Sequence, residues 1–224
     1  MSDRHVVLLD LDGTLIDSAP GVLAGIHEAF RAVDVVPPAD AVMRAWIGPP
    51  VRETLARELG VNGDAAVEHA NAAFREYFDT VGAYESVAFA GIHDALAEVS
   101  RRGALMSIVT HKPAPLAEIA LAQHGLDVFV HSLHAPPSPR VVVPKEQLFA
   151  EALDATMPRT VISVGDRGSD IRAAAACGVA GIGVAWGYGD TAELNDAGAV
   201  AVIEAPADLP AHVTRPQDGQ YPLA

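Results

Sequence analysis

Three carboxylates crowd into eight positions of the stretch DLDGTLIDS, residues 10–18, directly after the apolar run at residues 6–9. Like charges repel, so Asp10, Asp12 and Asp17 form either a solvated turn or a site stabilised by a bound cation. Other polar residues follow later apolar runs in the same way. These further candidates are Thr110, Lys145, Asp166 and Asp170.

The elements that must position these residues alternate between strand and helix. Short apolar runs predict strands at 5–10, 104–110, 160–165 and 180–185, and a weaker one at 127–132. Apolar residues at helical spacing predict helices at 91–102 and 144–155. Alternation of this kind, with short loops, is typical of a parallel sheet covered by helices on both faces, so the predicted fold class is α/β.

Residues 18–84 interrupt this alternation. Helical patterns begin at Ser18 and recur at 51–60 and 67–78, and no convincing strand lies among them. We therefore predict an all-helical domain at 18–84, inserted into an α/β core made of 1–17 and 85–206. The stretch 207–224 is rich in proline and lacks periodicity, so we predict a mobile C-terminal tail there.

The predicted sheet brings the candidate residues to one edge, because ligands of open α/β sheets bind beyond the carboxyl ends of the strands. Asp10 and Asp166 follow two such ends and would hold a hard cation. Mg²⁺ suits two carboxylates together with water and a phosphate oxygen. The metal and Lys145 would offset the repulsion among the acids and lower their pKa values.

Composition narrows the possible partners. The 224 residues carry a formal net charge of −14, which argues against nucleic acid and anionic membrane surfaces as partners. Cys177 is the single cysteine, which fits a reducing compartment. No leader-like segment and no apolar run of about 18 residues is present, so we expect a cytoplasmic protein.

Four segments carry a family resemblance: DLDGTLIDS, VTHKP, PKEQLFAEAL and VGDRGSDIRAAAACGV. Together they resemble the motifs of the haloacid-dehalogenase-like hydrolases, most closely the phosphoglycolate-phosphatase-like branch with a helical cap. The likeness runs from about residue 5 to 204 and includes IGPPVRETL in the inserted helical region. It implies a Rossmann-like core and a Mg²⁺-dependent phosphatase acting on a small phosphorylated metabolite.

The resemblance also implies a role for each candidate. Asp10 would be the nucleophile that forms an aspartyl-phosphate, and Asp12 would protonate the leaving alcohol and then activate water. Thr110 and Lys145 would hold the phosphoryl oxygens. Dehalogenases of the family lack the second acid, so the presence of Asp12 favours a phosphatase.

The metal set implied by the resemblance comprises Asp10, Asp166 and the backbone carbonyl of Asp12, with Asp170 as a ligand or a partner of the ligands. Lys112 and Arg140 compete with Lys145 for the phosphate-binding role, because the third motif is little more than one lysine.

Other functions with similar residues remain open. A phosphorelay receiver domain also gathers acids, a hydroxyl and a lysine at strand ends, but its acceptor aspartate lies in the third strand and no helical insert follows the first. A sugar-phosphate mutase of the same fold is the main alternative, with Asp12 returning the phosphoryl group to substrate.

Arg52 is the candidate for substrate selection. It follows the rigid turn at 48–50 and lies in the first turn of a predicted helix, where the helix dipole disfavours a cation. A surface pair with Glu53 or Glu58 would explain it structurally. The resemblance implies that this part of the cap selects the substrate, and a guanidinium would bind a carboxylate or phosphate at the substrate's non-reacting end. Phosphoglycolate and nucleoside monophosphates both remain possible substrates.

Overall fold

The computed structural model describes residues 5–48, 51–158 and 160–213, and within them short strands alternate with helices along most of the chain. The strands are β1 (His5–Leu9), β2 (Ile16–Asp17), β3 (Val87–Ala88), β4 (Leu105–Val109), β5 (Val130–His134), β6 (Thr160–Gly165), β7 (Ala180–Val184) and β8 (Ala201–Ile203). The helices are α1 (Ala19–Ala32), α2 (Asp40–Arg44), α3 (Val51–Leu59), α4 (Asp64–Thr80), α5 (Ile92–Arg101), α6 (Ala114–Gln123), α7 (Lys145–Thr156), α8 (Gly168–Ala176), α9 (Thr191–Asp196) and α10 (Leu209–Val213).

Six strands form one parallel sheet in the order β5-β4-β1-β6-β7-β8. From β1 the chain builds outward through β4 and β5, and it then returns to the other side of β1 with β6. The order of the strands therefore reverses next to β1, which is where ligands bind in sheets of this type. The prediction of an α/β fold with a Rossmann-like parallel sheet is confirmed.

The core lies on both faces of this sheet because successive side chains of a strand point to opposite sides. Val6 and Leu8 pack in one apolar cluster with residues of α7 and α8. Val7 and Leu9 belong to a second cluster, to which α5 and α6 contribute. Burial on both faces explains why β1 is apolar at nearly every position and why its sequence lacks the alternation of apolar and polar residues seen in half-buried strands.

The chain divides into two compact units, Asp17–Val87 and the remainder. The first contains α1 to α4, and its buried side chains include Ile26, Phe30, Leu55 and Phe74. The second contains the parallel sheet and its helices. The divisions fall at 16/17 and 87/88, whereas the sequence analysis placed them at 17/18 and 84/85.

The structure corrects the sequence analysis near the C-terminus and at one strand. A tail beginning at residue 207 is wrong for 207–213, since a 3₁₀ turn and α10 occupy them and Leu209, Pro210 and Val213 are buried. Tertiary contacts stabilise this short helix: the Arg102 guanidinium donates to the Pro210 carbonyl at 2.9 Å. Residues 214–224 lie outside the described residues.

The weak strand predicted at 127–132 begins only at Val130, because Asp127–Phe129 forms a 3₁₀ helix, and β8 was not predicted. Among the helices of the described residues, none combines the length and the apolar character needed to span a membrane.

Candidate active site

The reversal of strand order places two aspartates side by side. Asp10 follows β1 and Asp166 follows β6, and these strands pair in register with Leu9 opposite Val164. The Asp10 backbone N–H continues the pairing by donating to the Val164 carbonyl at 3.0 Å. Both side chains are buried, so two carboxylates meet at the sheet edge with little access to solvent.

Lys145 places a positive charge among these acids. It is the first residue of α7, and its ammonium group donates to Asp10 Oδ1 at 2.8 Å and to Asp170 Oδ1. Asp170 lies in the first turn of α8, where its other oxygen accepts the Arg167 backbone N–H at 3.0 Å. The Lys145 side chain is only 7% exposed, so the ion pairs are shielded from solvent. Charge-assisted bonds of this kind are strong and hold the acids in fixed positions.

The crowding of charges perturbs the ionisation of the cluster. Burial raises the pKa of Asp10 to about 7, and the charges of Asp170 and Asp12 act in the same direction while Lys145 opposes them. Burial also raises the pKa of Asp166 well above its ordinary value, with further contributions from Asp170 and Asp10. Burial would lower the pKa of Lys145, but the neighbouring carboxylates outweigh it and raise that pKa. One ammonium group therefore does not balance the acids.

The residues fit a divalent cation. Oxygens of Asp10, Asp166 and Asp170 lie within 4.8 Å of one another. Asp166 Oδ1 is buried and has no hydrogen-bond partner among the described residues, whereas its Oδ2 accepts the Tyr188 backbone N–H at 2.8 Å. Buried polar atoms are almost always satisfied, so an unpartnered carboxylate oxygen indicates a ligand position. Three carboxylates and one ammonium carry a formal charge of about −2, which a divalent cation would neutralise.

A second ion pair fixes Asp12. The Lys112 ammonium donates to Asp12 Oδ1 at 3.0 Å, and the Lys112 side chain is almost fully buried. The Lys112 backbone N–H donates in turn to Thr110 Oγ1 at 3.1 Å, and the Thr110 N–H donates to the His134 carbonyl. Thr110 and Asp12 thus share a neighbour, because both contact Lys112 near the end of β4.

The structure separates the candidates for the lysine role. Lys145 contacts Asp10 and Asp170, Lys112 contacts Asp12, and Arg140 is exposed in the loop before α7. Lys112 was predicted only as a competitor of Lys145, and its pair with Asp12 was not predicted. Its signal was present, since VTHKP contains both Thr110 and Lys112.

Residues at the start of the helical unit have structural contacts. Asp17 Oδ1 accepts the Ala19 backbone N–H at 2.9 Å and its other oxygen pairs with Arg44 at 2.7 Å. Ser18 precedes α1 as its N-cap residue but makes no capping side-chain bond, so Asp17 supplies this contact instead.

Arg52 lies on α3 within the helical unit and is exposed. Its guanidinium pairs with Glu68 of α4. The alternative of a surface pair with Glu53 or Glu58 is not the pair observed, since Glu68 is the partner.

The segment that follows β7 and contacts Asp166 was not predicted. The Tyr188 backbone N–H bonds the Asp166 carboxylate, and the Trp186 indole N–H donates to the Thr14 carbonyl at 3.0 Å. The stretch VAWGYGDTAEL entered the family resemblance, but its residue types do not show that it lies against Asp166 and the loop after β1.

Comparison with known proteins gives consistent results. The family model of haloacid dehalogenase-like hydrolases matches residues 7–184. The phosphoglycolate phosphatase of Pectobacterium atrosepticum is 32% identical over 203 residues, covering 83% of this chain and 83% of that protein. The tyrosine-protein kinase PtkA of Mycobacterium tuberculosis is also 32% identical, over 187 residues and 83% of this chain, but this chain spans only 63% of its length.

Solved structures agree with the sequence relatives. A haloacid dehalogenase-like family hydrolase from Streptococcus pneumoniae superposes with a TM-score of 0.85 at 25% identity, covering 95% of this chain and 99% of that one. The parallel sheet with its order reversal, the buried acids at that reversal and the match over residues 7–184 all agree. The chain therefore belongs to the haloacid dehalogenase-like hydrolase family, in its phosphoglycolate-phosphatase-like branch.

Proposed function

We propose that the chain is a phosphoric monoester hydrolase that uses Asp10 as a covalent nucleophile. The observation that carries this proposal is the buried cluster of Asp10, Asp166 and Asp170, held by Lys145 at the order reversal of the sheet. Phosphoryl transfer depends mainly on positioning and on neutralisation of charge, and this cluster supplies both. Family membership and the phosphatase relative support the same reaction.

The proposed reaction has two steps. In the first, an Asp10 carboxylate oxygen forms a bond to phosphorus while the bond from phosphorus to the ester oxygen breaks, and Asp12 gives its proton to the leaving alcohol. In the second, Asp12 takes a proton from water, whose oxygen bonds to phosphorus as the acyl-phosphate bond breaks. Inorganic phosphate leaves, and Asp10 returns to its starting form. The pair with Lys112 would hold the Asp12 carboxyl in position for both proton transfers.

The proposed metal is Mg²⁺, held by Asp10, Asp166 and Asp170 with the backbone carbonyl of Asp12. When bound, Mg²⁺ neutralises negative charge on phosphoryl oxygens, and its preference for oxygen ligands matches the carboxylates. Thr110 and Lys145 are proposed to donate hydrogen bonds to those oxygens. For this, Lys145 would exchange part of its bonding with Asp10 and Asp170 for the phosphoryl group.

The proposed substrate is a small phosphorylated metabolite, either phosphoglycolate-like or a nucleoside monophosphate. Arg52 is proposed to bind an anionic group at the non-reacting end, since a guanidinium forms a bidentate pair with a carboxylate. Its exposed pair with Glu68 is weak enough to be exchanged for such a ligand, because surface ion pairs contribute about 1 kcal/mol or less. Cys177, the single cysteine, supports a reducing compartment, and we propose the cytoplasm.

A panel of phosphomonoesters assayed with Mg²⁺ tests the reaction, with kcat/KM read for each. Asp10→Asn should lower turnover by several orders of magnitude while the fold persists, because an amide is not a nucleophile. Asp94→Asn, an exposed aspartate on α5, is the matched control and should retain full activity. Retention of most activity by Asp10→Asn would refute covalent catalysis at Asp10.

Acid-quenched enzyme mixed with labelled substrate separates a phosphatase from a mutase. A phosphatase should lose its protein-bound phosphate within the turnover time and release inorganic phosphate. A phosphoenzyme that persists after substrate is exhausted, and that passes its phosphate to a sugar phosphate, would show a mutase instead.

A further inference from the structure

The segment that follows β7 contacts both loops of the proposed active site. It runs from Trp186 to Glu193 and includes the start of α9, which begins at Thr191. No side chain in this segment belongs to the acid cluster or to the proposed chemistry. Its contacts nevertheless converge on Asp166 and on the loop that follows β1.

Contacts with Asp166 are made by backbone and admit no side chains. The Tyr188 N–H donates to Asp166 Oδ2 at 2.8 Å. A Cβ atom added to Gly187 would lie 2.2 Å from Asp166 Cβ, and one added to Gly189 would lie 2.1 Å from the Asp166 carbonyl oxygen. Both distances are far below van der Waals contact, so only glycine permits the approach.

The same segment is fixed to the loop after β1. The Trp186 indole N–H donates to the Thr14 carbonyl at 3.0 Å, and a Cβ on Gly187 would also lie 2.5 Å from the Gly13 carbonyl oxygen. Gly187 is therefore enclosed by two loops, one carrying Asp10 and Asp12 and the other carrying Asp166. A displacement of the segment would therefore change the position of Asp166 relative to Asp10 and Asp12.

The far end of the segment is anchored to α8. The side chain of Asp190 accepts the Glu193 N–H at 2.7 Å and caps α9. Glu193 Oε1 accepts the Gly168 N–H at 2.7 Å and the Arg167 guanidinium at 3.1 Å. Since the Arg167 N–H bonds Asp170, the start of α8 is held from both sides.

These contacts oppose the repulsion among the acids. Asp166 lies beside the buried carboxylates of Asp10 and Asp170, and repulsion from them favours rotation of its side chain away from the cluster. The Tyr188 N–H fixes Oδ2 of this carboxylate, and Oδ1 has no hydrogen-bond partner among the described residues. Loss of a hydrogen-bond partner that orients a metal ligand commonly lowers metal affinity by about 10- to 100-fold.

We propose that residues 186–193 are a positioning segment that sets the metal affinity of the site, with Gly187, Trp186 and Glu193 as positioning residues. The inference rests on the metal site of the proposed function. The segment acts before any substrate binds, because its contacts are with the metal-binding residues and their loops. Its loss should raise the dissociation constant for metal while leaving the KM for substrate at saturating metal nearly unchanged.

Direct binding of Mg²⁺ by calorimetry, without substrate, tests this inference. Gly187→Ala should raise the Kd for Mg²⁺ by about 10-fold or more, and Trp186→Phe, which removes the indole N–H but keeps an aromatic ring, by a smaller factor. Glu193→Ala should raise it by about 10-fold, whereas Glu193→Gln, which can still accept the Gly168 N–H, should recover part of the affinity. Gly60→Ala is the matched control, since a Cβ at Gly60 meets no atom within 4 Å.

The outcomes separate the inference from the proposed function. Circular dichroism and Tm establish that each variant is folded, and the milder Trp186→Phe and Glu193→Gln carry the test if Gly187→Ala does not fold. Unchanged Mg²⁺ affinity in the folded variants, with normal binding by the wild-type chain, would overturn the positioning role alone. Absence of Mg²⁺ binding by the wild-type chain would overturn the metal site and this inference together.

Discussion

Replacing Asp10, the proposed nucleophile, by asparagine should stabilise the metal-free protein at neutral pH. In the absence of metal, burial and acidic neighbours raise the pKa of Asp10 to about 7 from an ordinary value of 3.8. Asp10→Asn keeps the size and an acceptor oxygen for Lys145 but removes the charge. The variant therefore separates the cost of ionising Asp10 from the packing of its side chain.

The sign follows from proton binding. Below pH 3.8 the folded and unfolded chains both carry the proton, and Asp10 contributes no pH dependence. Between pH 3.8 and about 7 the folded chain retains the proton and the unfolded chain loses it, so stability falls as pH rises. Above about 7 the loss is complete and amounts to about 4 kcal/mol, since one pKa unit corresponds to about 1.4 kcal/mol.

Urea denaturation in EDTA, followed by circular dichroism from pH 5 to pH 8, measures the effect. Over this range the wild-type chain should lose about 3 kcal/mol of unfolding free energy relative to Asp10→Asn. Asp94→Asn, exposed on α5, should follow the wild-type profile. Mg²⁺ at 100 times its Kd should narrow this difference, because bound metal stabilises the wild-type chain by about 2.7 kcal/mol. Parallel profiles for wild type and Asp10→Asn across this range would refute the reasoning.

Three further substitutions test the remaining parts of the site. Asp166→Ala should raise the Mg²⁺ concentration needed for half-maximal activity by about 10-fold or more, and full activity in excess EDTA would contradict a metal role. Lys112→Met should lower kcat by about 10-fold, because Asp12 loses the ion pair that positions it for acid–base catalysis. Arg140→Met, at an exposed position, should leave kcat unchanged, and equal kcat values for the two variants would contradict the role of Lys112. Arg52→Lys should lower kcat/KM for the best anionic substrate by about 10-fold and leave kcat/KM for a small aryl phosphate unchanged. Glu68→Gln should lower kcat/KM for neither substrate. Equal losses on both substrates in Arg52→Lys would assign Arg52 a structural role.

The sequence by itself determined the fold class and the edge of the sheet that carries the acids. Strands β1, β4, β6 and β7 are buried on both faces, so each reads as an apolar run, and a polar group follows most of them at a recognisable position. Once a parallel sheet is predicted, residues at successive carboxyl ends must lie near one another. Local patterns of this kind do not depend on knowing which strands are neighbours.

Only the tertiary structure decided which charged groups meet. Lys112 follows β4 and Lys145 begins α7, and no local pattern reveals that Lys112 contacts Asp12 whereas Lys145 contacts Asp10 and Asp170. The same holds for α10, which is too short to be stable alone and depends on contacts with distant residues. The restraint of Asp166 by the Tyr188 backbone is equally hidden, because a main-chain N–H is identical at every residue but proline and its partner is set by the packing of the two loops.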